Sequence, residues 1–293
     1  MSAASRVLAA AALMSLAACH PHGDETLQVG TRERHYELFV PSDTPNLPLV
    51  IVLHGHGGTG KSMERFSQFD RVAAREQFVV AYPDGIGRGW NDGRSGVNGD
   101  ADDVAFIAGL IDELAAEHAI DRSRVYVTGA SNGGMMSYRV GCELSDRVAA
   151  IAPVIANLPT ELPCAPQKPL SVLAINGTAD PLVPYNGGQI ARNRGEVLSA
   201  ALSTQFFAQR AGCNAAEPTV EEPDVDGNDD SRTFVTRYDC PGPVQVSLIT
   251  LGGAGHTWPG GVQYLPQFVV GGVSHDFDGA ERIWEFFEPH TRN

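Results

Sequence analysis

The segment that decides the fold runs from Arg124 to Gly133 and reads Arg-Val-Tyr-Val-Thr-Gly-Ala-Ser-Asn-Gly. Its first five residues are typical of a buried strand, and the residues from about 132 to 143 predict a helix. Between the two lies a G-x-S-x-G sequence with Ser131 at its centre. Small residues on both sides permit a sharp strand-to-helix turn, which pushes the Ser131 hydroxyl outward beside the free N–H groups of the helix start. The segment therefore predicts a strand–turn–helix unit that presents one serine.

Apolar runs and helical spacings alternate on both sides of this unit. Strands are predicted at about 26–30, 35–40, 48–54, 78–82, 124–128, 148–155, 170–175, 233–239 and 244–250, and helices at about 61–76, 102–118, 132–143, 196–211 and 278–288. Several of the strands are continuous apolar runs, as expected for strands covered on both faces. This alternation predicts the α/β class, with a mostly parallel central sheet and helices on both faces. The acidic stretch 214–232 is predicted to leave the sheet.

The composition is that of a globular protein. Of 293 residues, 43% are hydrophobic and 19% are charged, which excludes disordered, collagenous and coiled-coil proteins. The formal net charge of −14 repels phosphate backbones and anionic lipid surfaces. We therefore expect no nucleic-acid partner.

The amino terminus predicts export. Arg6 precedes an apolar run, Val7 to Ala18, that is shorter than the roughly 20 residues needed to span a bilayer. Leu16-Ala17-Ala18-Cys19 then resembles the lipobox of bacterial lipoprotein signal peptides. The resemblance implies removal of residues 1–18 and a lipid on Cys19, which would be the only contact with a membrane. A secretory signal peptide cut elsewhere is the alternative. In either case we expect export, to the periplasm, the outer membrane or cell surface, or the medium.

Export bears on how the cysteines pair. Four cysteines remain besides Cys19, and an even number in an oxidising compartment predicts disulfides. Among the three possible pairings we favour Cys142–Cys164 and Cys213–Cys240, because each closes a short loop beside a helix end. Four free buried thiols are the alternative.

The glycine-rich segment from Gly55 to Ser62 has two interpretations. It matches the P-loop pattern G-x-x-x-x-G-K-[ST] of nucleotide triphosphatases, and it follows a predicted strand. An exported protein meets almost no ATP or GTP, however, and the strand ending at Tyr82-Pro83-Asp84 is a poor source of a magnesium ligand. The same loop can serve instead as the oxyanion loop of an α/β-hydrolase, which also follows a strand.

Two further residues complete a hydrolase pattern. Asp180 follows the predicted strand at 170–175, and His256 follows the strand at 244–250. Both would lie at carboxyl ends of strands, where the active sites of open α/β sheets collect. The chain order of serine, acid and histidine is that of α/β-hydrolases.

Four stretches together resemble the exported esterases grouped around polyhydroxybutyrate depolymerases and feruloyl or acetylxylan esterases. They are Leu53-His54-Gly55, Gly129-Ala130-Ser131-Asn132-Gly133-Gly134, Gly177-Thr178-Ala179-Asp180 with Pro184-Tyr185, and Gly255-His256-Thr257-Trp258-Pro259-Gly260. The resemblance runs from about residue 30 to residue 289. It implies an α/β-hydrolase fold for a single catalytic domain over 19–293, no cofactor, and hydrolysis of carboxylic esters.

The resemblance also implies a role for each matching residue. Ser131 would be the nucleophile, His256 the general base and acid, and Asp180 the carboxylate that orients the histidine. The backbone N–H groups of Asn132 and His56 would form the oxyanion hole. Several family members have cysteine in place of His56, and because the donor is the backbone, this departure concerns specificity more than activity.

The sequence offers candidates for substrate contact but leaves the substrate open. Trp90, Tyr185 and Trp258 are candidate substrate contacts, and Trp258 could equally be packing beside the catalytic loop. His54 and His56 lack further ligands at zinc-enzyme spacing, so no metal is expected, and His54 is predicted to hydrogen-bond its own loop.

We expect a monomer acting on a small or oligomeric ester, with feruloyl, acetyl and hydroxybutyrate esters all open. A binding lipoprotein without activity is the alternative function, and a P-loop triphosphatase is the least favoured.

Overall fold

The computed structural model describes residues 23–292. The predicted signal sequence and the lipobox cysteine, Cys19, lie outside the described residues. Within them, none of the helices combines the length and the apolar character needed to cross a membrane.

Strands and helices alternate along the chain, as the sequence predicts. The strands are β1 (Gly23–Val29), β2 (Arg32–Phe39), β3 (Leu49–Leu53), β4 (Val79–Pro83), β5 (Val125–Ala130), β6 (Ala150–Val154), β7 (Ser171–Gly177), β8 (Gly188–Gln189), β9 (Glu196–Val197), β10 (Val220–Glu221), β11 (Arg232–Tyr238) and β12 (Val246–Gly252). The helices are α1 (Gly60–Ser67), α2 (Phe69–Glu76), α3 (Asp103–Glu117), α4 (Asn132–Glu143), α5 (Ala200–Arg210), α6 (Gln267–Val270) and α7 (Gly279–Phe287).

In the described part of the chain, ten strands form one sheet in the order β1-β2-β4-β3-β5-β6-β7-β12-β11-β10. Its centre, from β4 to β12, is parallel, and the two edges are antiparallel. The predicted α/β class with a mostly parallel central sheet is confirmed. Parallel strands place their carboxyl ends along one edge, so the loops after β3, β5, β7 and β12 meet there.

Each face of the sheet packs against its own helices. Along β3, Leu49, Ile51 and Leu53 belong to the core on the side of α3, α4 and α5, whereas Val50 and Val52 belong to the core with α1, α2 and α7. Alternation along a strand covered on both sides explains why the sequence reads as a continuous apolar run.

Two predicted helices differ from the structure. The region 61–76 is two helices, because Gln68 adopts a left-handed conformation at φ 56° and its N–H donates to the carbonyl of Glu64, which ends α1. The region 196–211 begins as β9, and α5 begins only at Ala200, after Ser199 accepts a hydrogen bond from the N–H of Leu202. Side-chain capping fixes that boundary.

Both predicted disulfides are present. Cys142 at the end of α4 bonds to Cys164, and Cys213 after α5 bonds to Cys240 after β11. Two disulfides fit a protein that functions outside the cytosol.

Candidate active site

Ser131 lies at a tight turn between β5 and α4. Its backbone has φ 57° and ψ −118°, a conformation that L-residues rarely adopt. A Cβ atom added at Gly129 would lie 2.6 Å from the carbonyl oxygen of Leu53, and one at Gly133 would lie 2.2 Å from it. Only glycine permits this approach of β3 to the turn, so the two glycines hold Ser131 in place.

The Ser131 side chain lines a cleft of about 710 Å³ at the carboxyl edge of the sheet. His56, Asn132 and His256 line the same cleft, so the structure brings four of the five predicted reaction residues together there. The fifth, Asp180, lies directly behind His256.

His256 and Asp180 are in contact. His256 Nδ1 lies 2.7 Å from Asp180 Oδ2, and both side chains are almost fully buried. The other carboxylate oxygen, Oδ1, accepts hydrogen bonds from the N–H groups of Leu182 and Val183 at 2.7 and 2.8 Å. Hydrogen bonds of this kind fix the orientation of the carboxylate. The pair can therefore hold the imidazole with Nε2 available as a base.

Neighbouring strands explain why these two residues meet. β7 and β12 are adjacent and parallel, Asp180 follows the end of β7, and His256 follows the end of β12. The two loops are joined by a hydrogen bond of 2.9 Å from the N–H of Ala179 to the carbonyl of Ala254. His256 is further held by its own N–H, which donates to the carbonyl of Val270 in α6.

The loop that follows β3 runs beside Ser131. A Cβ added at Gly55 would lie 3.6 Å from the Ser131 Cβ, in ordinary contact. His54 braces this loop: its Nε2 accepts a hydrogen bond from the N–H of Gly85 at 2.9 Å, and its Nδ1 lies 2.8 Å from the carbonyl of Gly55. Accepting at Nε2 requires the neutral ring, and burial lowers the pKa of His54 accordingly. The prediction that His54 hydrogen-bonds its own loop is confirmed.

The loop does not have the arrangement of a P-loop. The N–H of Gly60 at the start of α1 donates to Asp84 Oδ1, so a carboxylate occupies the place of a phosphate. Ser62 and Thr59 are used as a capping box, and the side chain of Lys61 is 62% exposed, 3.9 Å from Glu37. This arrangement argues against the triphosphatase interpretation, because the N–H of Gly60 and the side chains of Thr59 and Ser62 are already used within the fold.

Asn132 anchors the turn through its side chain. Its Oδ1 accepts from the N–H of Trp90 at 2.7 Å, and its Nδ2 donates to the carbonyl of Trp90 at 3.0 Å and to Asp92 Oδ2 at 2.6 Å. Asp92 is fully buried and pairs with Arg94, which is also buried. Sequence reasoning missed Asp92 and Arg94. The sequence feature that could have identified them is a pair of opposite charges, two residues apart, in the glycine-rich loop 84–100.

The three proposed substrate contacts are corrected by the structure. Trp90 is fully buried, and its Nε1 donates to the carbonyl of His54 at 2.9 Å. Trp258 is 1% exposed and packs edge-on against Phe69 in the core. The hydroxyl of Tyr185 lies 2.7 Å from Thr250 Oγ1, and the ring packs on the apolar cluster around Leu248. None of the three lines the cleft, and each makes contacts that support the loops around it.

Two segments that the sequence did not single out form the rim of the cleft. One is the hairpin of β8 and β9, residues 188–197, and the other is residues 262–270, which include α6. Within residues 23–292, no group of three or more His, Cys, Asp or Glu side chains is arranged to hold a metal ion.

Known proteins resemble this chain in sequence and in fold. Residues 64–160 match the prolyl oligopeptidase family. A putative esterase, NocK, of Nocardia uniformis subsp. tsuyamanensis is 32% identical over 278 residues, which are 88% of this chain and 80% of the relative. Feruloyl esterase B of Piromyces equi is 34% identical over 221 residues, 71% of this chain, but this match spans only 39% of that longer protein.

Among solved structures, an acetyl xylan esterase from Aspergillus awamori superposes with a TM-score of 0.59 at 17% identity, over 87% of this chain and 94% of the other. This likeness concerns the fold, and the sequence relatives carry the family assignment. The chain belongs to the α/β-hydrolase esterases, and it is a carboxylic ester hydrolase.

Proposed function

We propose that this protein is an exported serine esterase in which Ser131 forms an acyl-enzyme. The observation that carries the proposal is the contact between Asp180 and His256, which lines the same cleft as Ser131. A strained serine turn, a buried histidine and a carboxylate fixed by two backbone N–H groups together form the arrangement that activates a hydroxyl.

Each residue has a defined part in the reaction. His256 Nδ1–H donates to Asp180, which leaves Nε2 to take the proton from Ser131 as its oxygen attacks the ester carbonyl. The same nitrogen then gives the proton to the leaving alcohol. Water attacks the acyl-enzyme with His256 again as base, and the acid is released.

Two backbone N–H groups would stabilise the tetrahedral intermediate. Asn132 is the first residue of α4, and an N–H in the first turn has no partner inside its helix. His56 lies in the loop after β3 and lines the same cleft. Donors placed where negative charge develops each contribute about 3 kcal/mol in enzymes of this kind.

We also propose that the protein is exported and anchored by a lipid on Cys19. Two disulfides support export, and the lipobox supports the lipid anchor. Relatives named for feruloyl and acetylxylan esters support esters of that kind as substrates. The sequence also resembles polyhydroxybutyrate depolymerases, so a 3-hydroxybutyrate trimer is included as a candidate substrate.

The test compares the exported, purified protein with its Ser131→Ala variant. The substrates are p-nitrophenyl butyrate, methyl ferulate, acetylated xylan and a 3-hydroxybutyrate trimer, and a fluorophosphonate probe reports the nucleophile. We expect the wild type to hydrolyse at least one ester and to be labelled, and the variant to lose both. A variant rate within tenfold of wild type would overturn the proposal. An unlabelled, inactive wild type would instead favour a binding lipoprotein.

A further inference from the structure

The cleft carries charge of one sign. Three arginines line it, Arg94, Arg192 and Arg194, while no Asp or Glu from the described part of the chain does so. The protein as a whole has a net charge of −14, with 35 acidic and 21 basic residues. A positive cleft in a strongly acidic chain is therefore a local feature that the overall composition does not account for.

Arg94 is a buried residue that positions the loops around the cleft. It is 5% exposed, and its Nε and Nη2 donate to the carboxylate of Asp92, which neutralises its charge. Its remaining group, Nη1, donates to the backbone carbonyl of Arg194 at 2.5 Å. Arg94 thus fixes the position of the β8–β9 hairpin relative to the buried floor of the cleft.

The hairpin holds Arg192 and Arg194 in place through its backbone. The N–H of Ile190 donates to the carbonyl of Gly195, and the N–H of Ala191 donates to the carbonyl of Leu182, both at 2.9 Å. The second bond ties the hairpin to the loop that contains Asp180. Arg192 has φ 66°, so the chain reverses within a tight turn rather than a loose loop.

The two guanidinium groups of the hairpin are available to a ligand. Arg192 and Arg194 are exposed, and among the described residues the structure gives neither side chain an ion pair. Burial lowers the pKa of His56, and the nearby Arg194 and Arg94 lower it further. The positive field of the hairpin therefore reaches the side of the cleft where the proposed oxyanion hole lies.

We propose that Arg192 and Arg194 recognise a carboxylate on the substrate, so that this esterase prefers esters whose acyl or alcohol part carries an acidic group. Guanidinium groups bind carboxylates through paired, charge-assisted hydrogen bonds. Acidic sugars and hydroxy-acid oligomers with a free terminus supply such a group. The inference rests on the proposed esterase function of the same cleft.

Matched pairs of esters test this preference. On the alcohol side, 4-acetoxybenzoate is compared with its neutral methyl ester; on the acyl side, mono-p-nitrophenyl glutarate is compared with its neutral methyl ester. Rates without enzyme are subtracted, because a free carboxylate can assist its own hydrolysis. We expect the wild type to show a kcat/KM about tenfold higher for the anionic member of at least one pair. One molar NaCl should reduce this ratio.

The double variant Arg192→Gln/Arg194→Gln should bring the ratio close to one, mainly through a higher KM for the anionic ester. Arg237→Gln removes one positive charge from an exposed position on β11 outside the cleft and should keep the wild-type ratio. A double variant with the wild-type ratio would overturn the inference, as would a wild-type ratio near one for both pairs. Either result with Ser131-dependent hydrolysis of neutral esters leaves the proposed function intact, whereas activity that survives Ser131→Ala refutes the function itself.

Discussion

The floor of the cleft consists of the loops after β3, β5, β7 and β12, whereas its rim consists of the β8–β9 hairpin and residues 262–270. On the floor, backbone atoms are packed so closely that Gly129 and Gly133 admit no side chain. On the rim, side chains such as Arg194 and Leu265 are exposed. The comparison leads us to propose that close backbone packing on the floor positions the reacting side chains, while exposed side chains on the rim select the ester.

The two parts of the rim also differ from each other. The hairpin contributes Arg192 and Arg194, whereas the opposite segment contributes Tyr264, Leu265 and Val269. The apolar segment is tied to the floor, since the hydroxyl of Tyr264 donates to the carbonyl of His256 at 3.2 Å. A substrate with one charged end and one apolar end would match both sides of the opening.

The largest effect is expected on the floor, from Asp180→Asn. The amide oxygen can still accept from Leu182 and Val183, but its NH2 group then faces His256 Nδ1 and favours the wrong tautomer. We expect kcat to fall by about 10³- to 10⁴-fold. Steady-state kinetics measure the loss, and a melting curve near that of wild type would show that the fold is retained. A decrease of less than tenfold would mean that His256 does not depend on this carboxylate.

A large loss of stability is expected from Gly133→Ala. The added methyl would lie 2.2 Å from the carbonyl oxygen of Leu53, so β3 and α4 must separate. We expect the free energy of unfolding to fall by about 3 kcal/mol or more. Gly99→Ala is the matched control, because no atom lies within 4 Å of a Cβ at that position. Equal stability of the two variants in urea would show that the floor can relax.

The floor could be predicted from the sequence and the rim could not. The glycines and the serine of the 129–133 turn have a fixed spacing set by local backbone geometry, and Asp180 and His256 each follow a recognisable apolar strand. Arg192 and Arg194, in contrast, lie in the connection between the two-residue strands β8 and β9, which has no apolar periodicity, and contacts between distant segments place them at the cleft. The burial of Trp90 and Trp258 also depends on such contacts, because an aromatic residue near a catalytic loop can serve either the core or the substrate.

A smaller effect concerns the pH dependence of stability, and it arises from His54, which holds the loop after β3 in place. Burial lowers the pKa of His54 below its ordinary value of about 6.5. The unfolded chain therefore takes up a proton at a higher pH than the folded protein. Stability should be constant above about pH 7 and should decrease as the pH falls through 6.5 toward the lowered pKa. Burial acts on His290 in the same direction.

Urea unfolding at pH 7.5 and 5.5 measures this dependence. His54→Asn should be less stable than wild type at pH 7.5 but should lose less on acidification. His35→Asn, at an exposed position on β2, controls for the removal of an imidazole. If His54→Asn lost as much stability as wild type on acidification, the neutral ring would not be the origin of the effect.

The smallest effect is expected on the apolar side of the rim, from Leu265→Ala. Leu265 lines the cleft and is already 45% exposed, so its removal leaves the packing intact and withdraws only part of an apolar contact. We expect the KM for p-nitrophenyl octanoate to rise about threefold, with p-nitrophenyl acetate little affected. Leu202→Ala is the matched control, because Leu202 is 51% exposed on α5 and does not line the cleft. Equal effects of Leu265→Ala on both esters would place the acyl chain elsewhere and leave the hairpin as the part of the rim that selects the substrate.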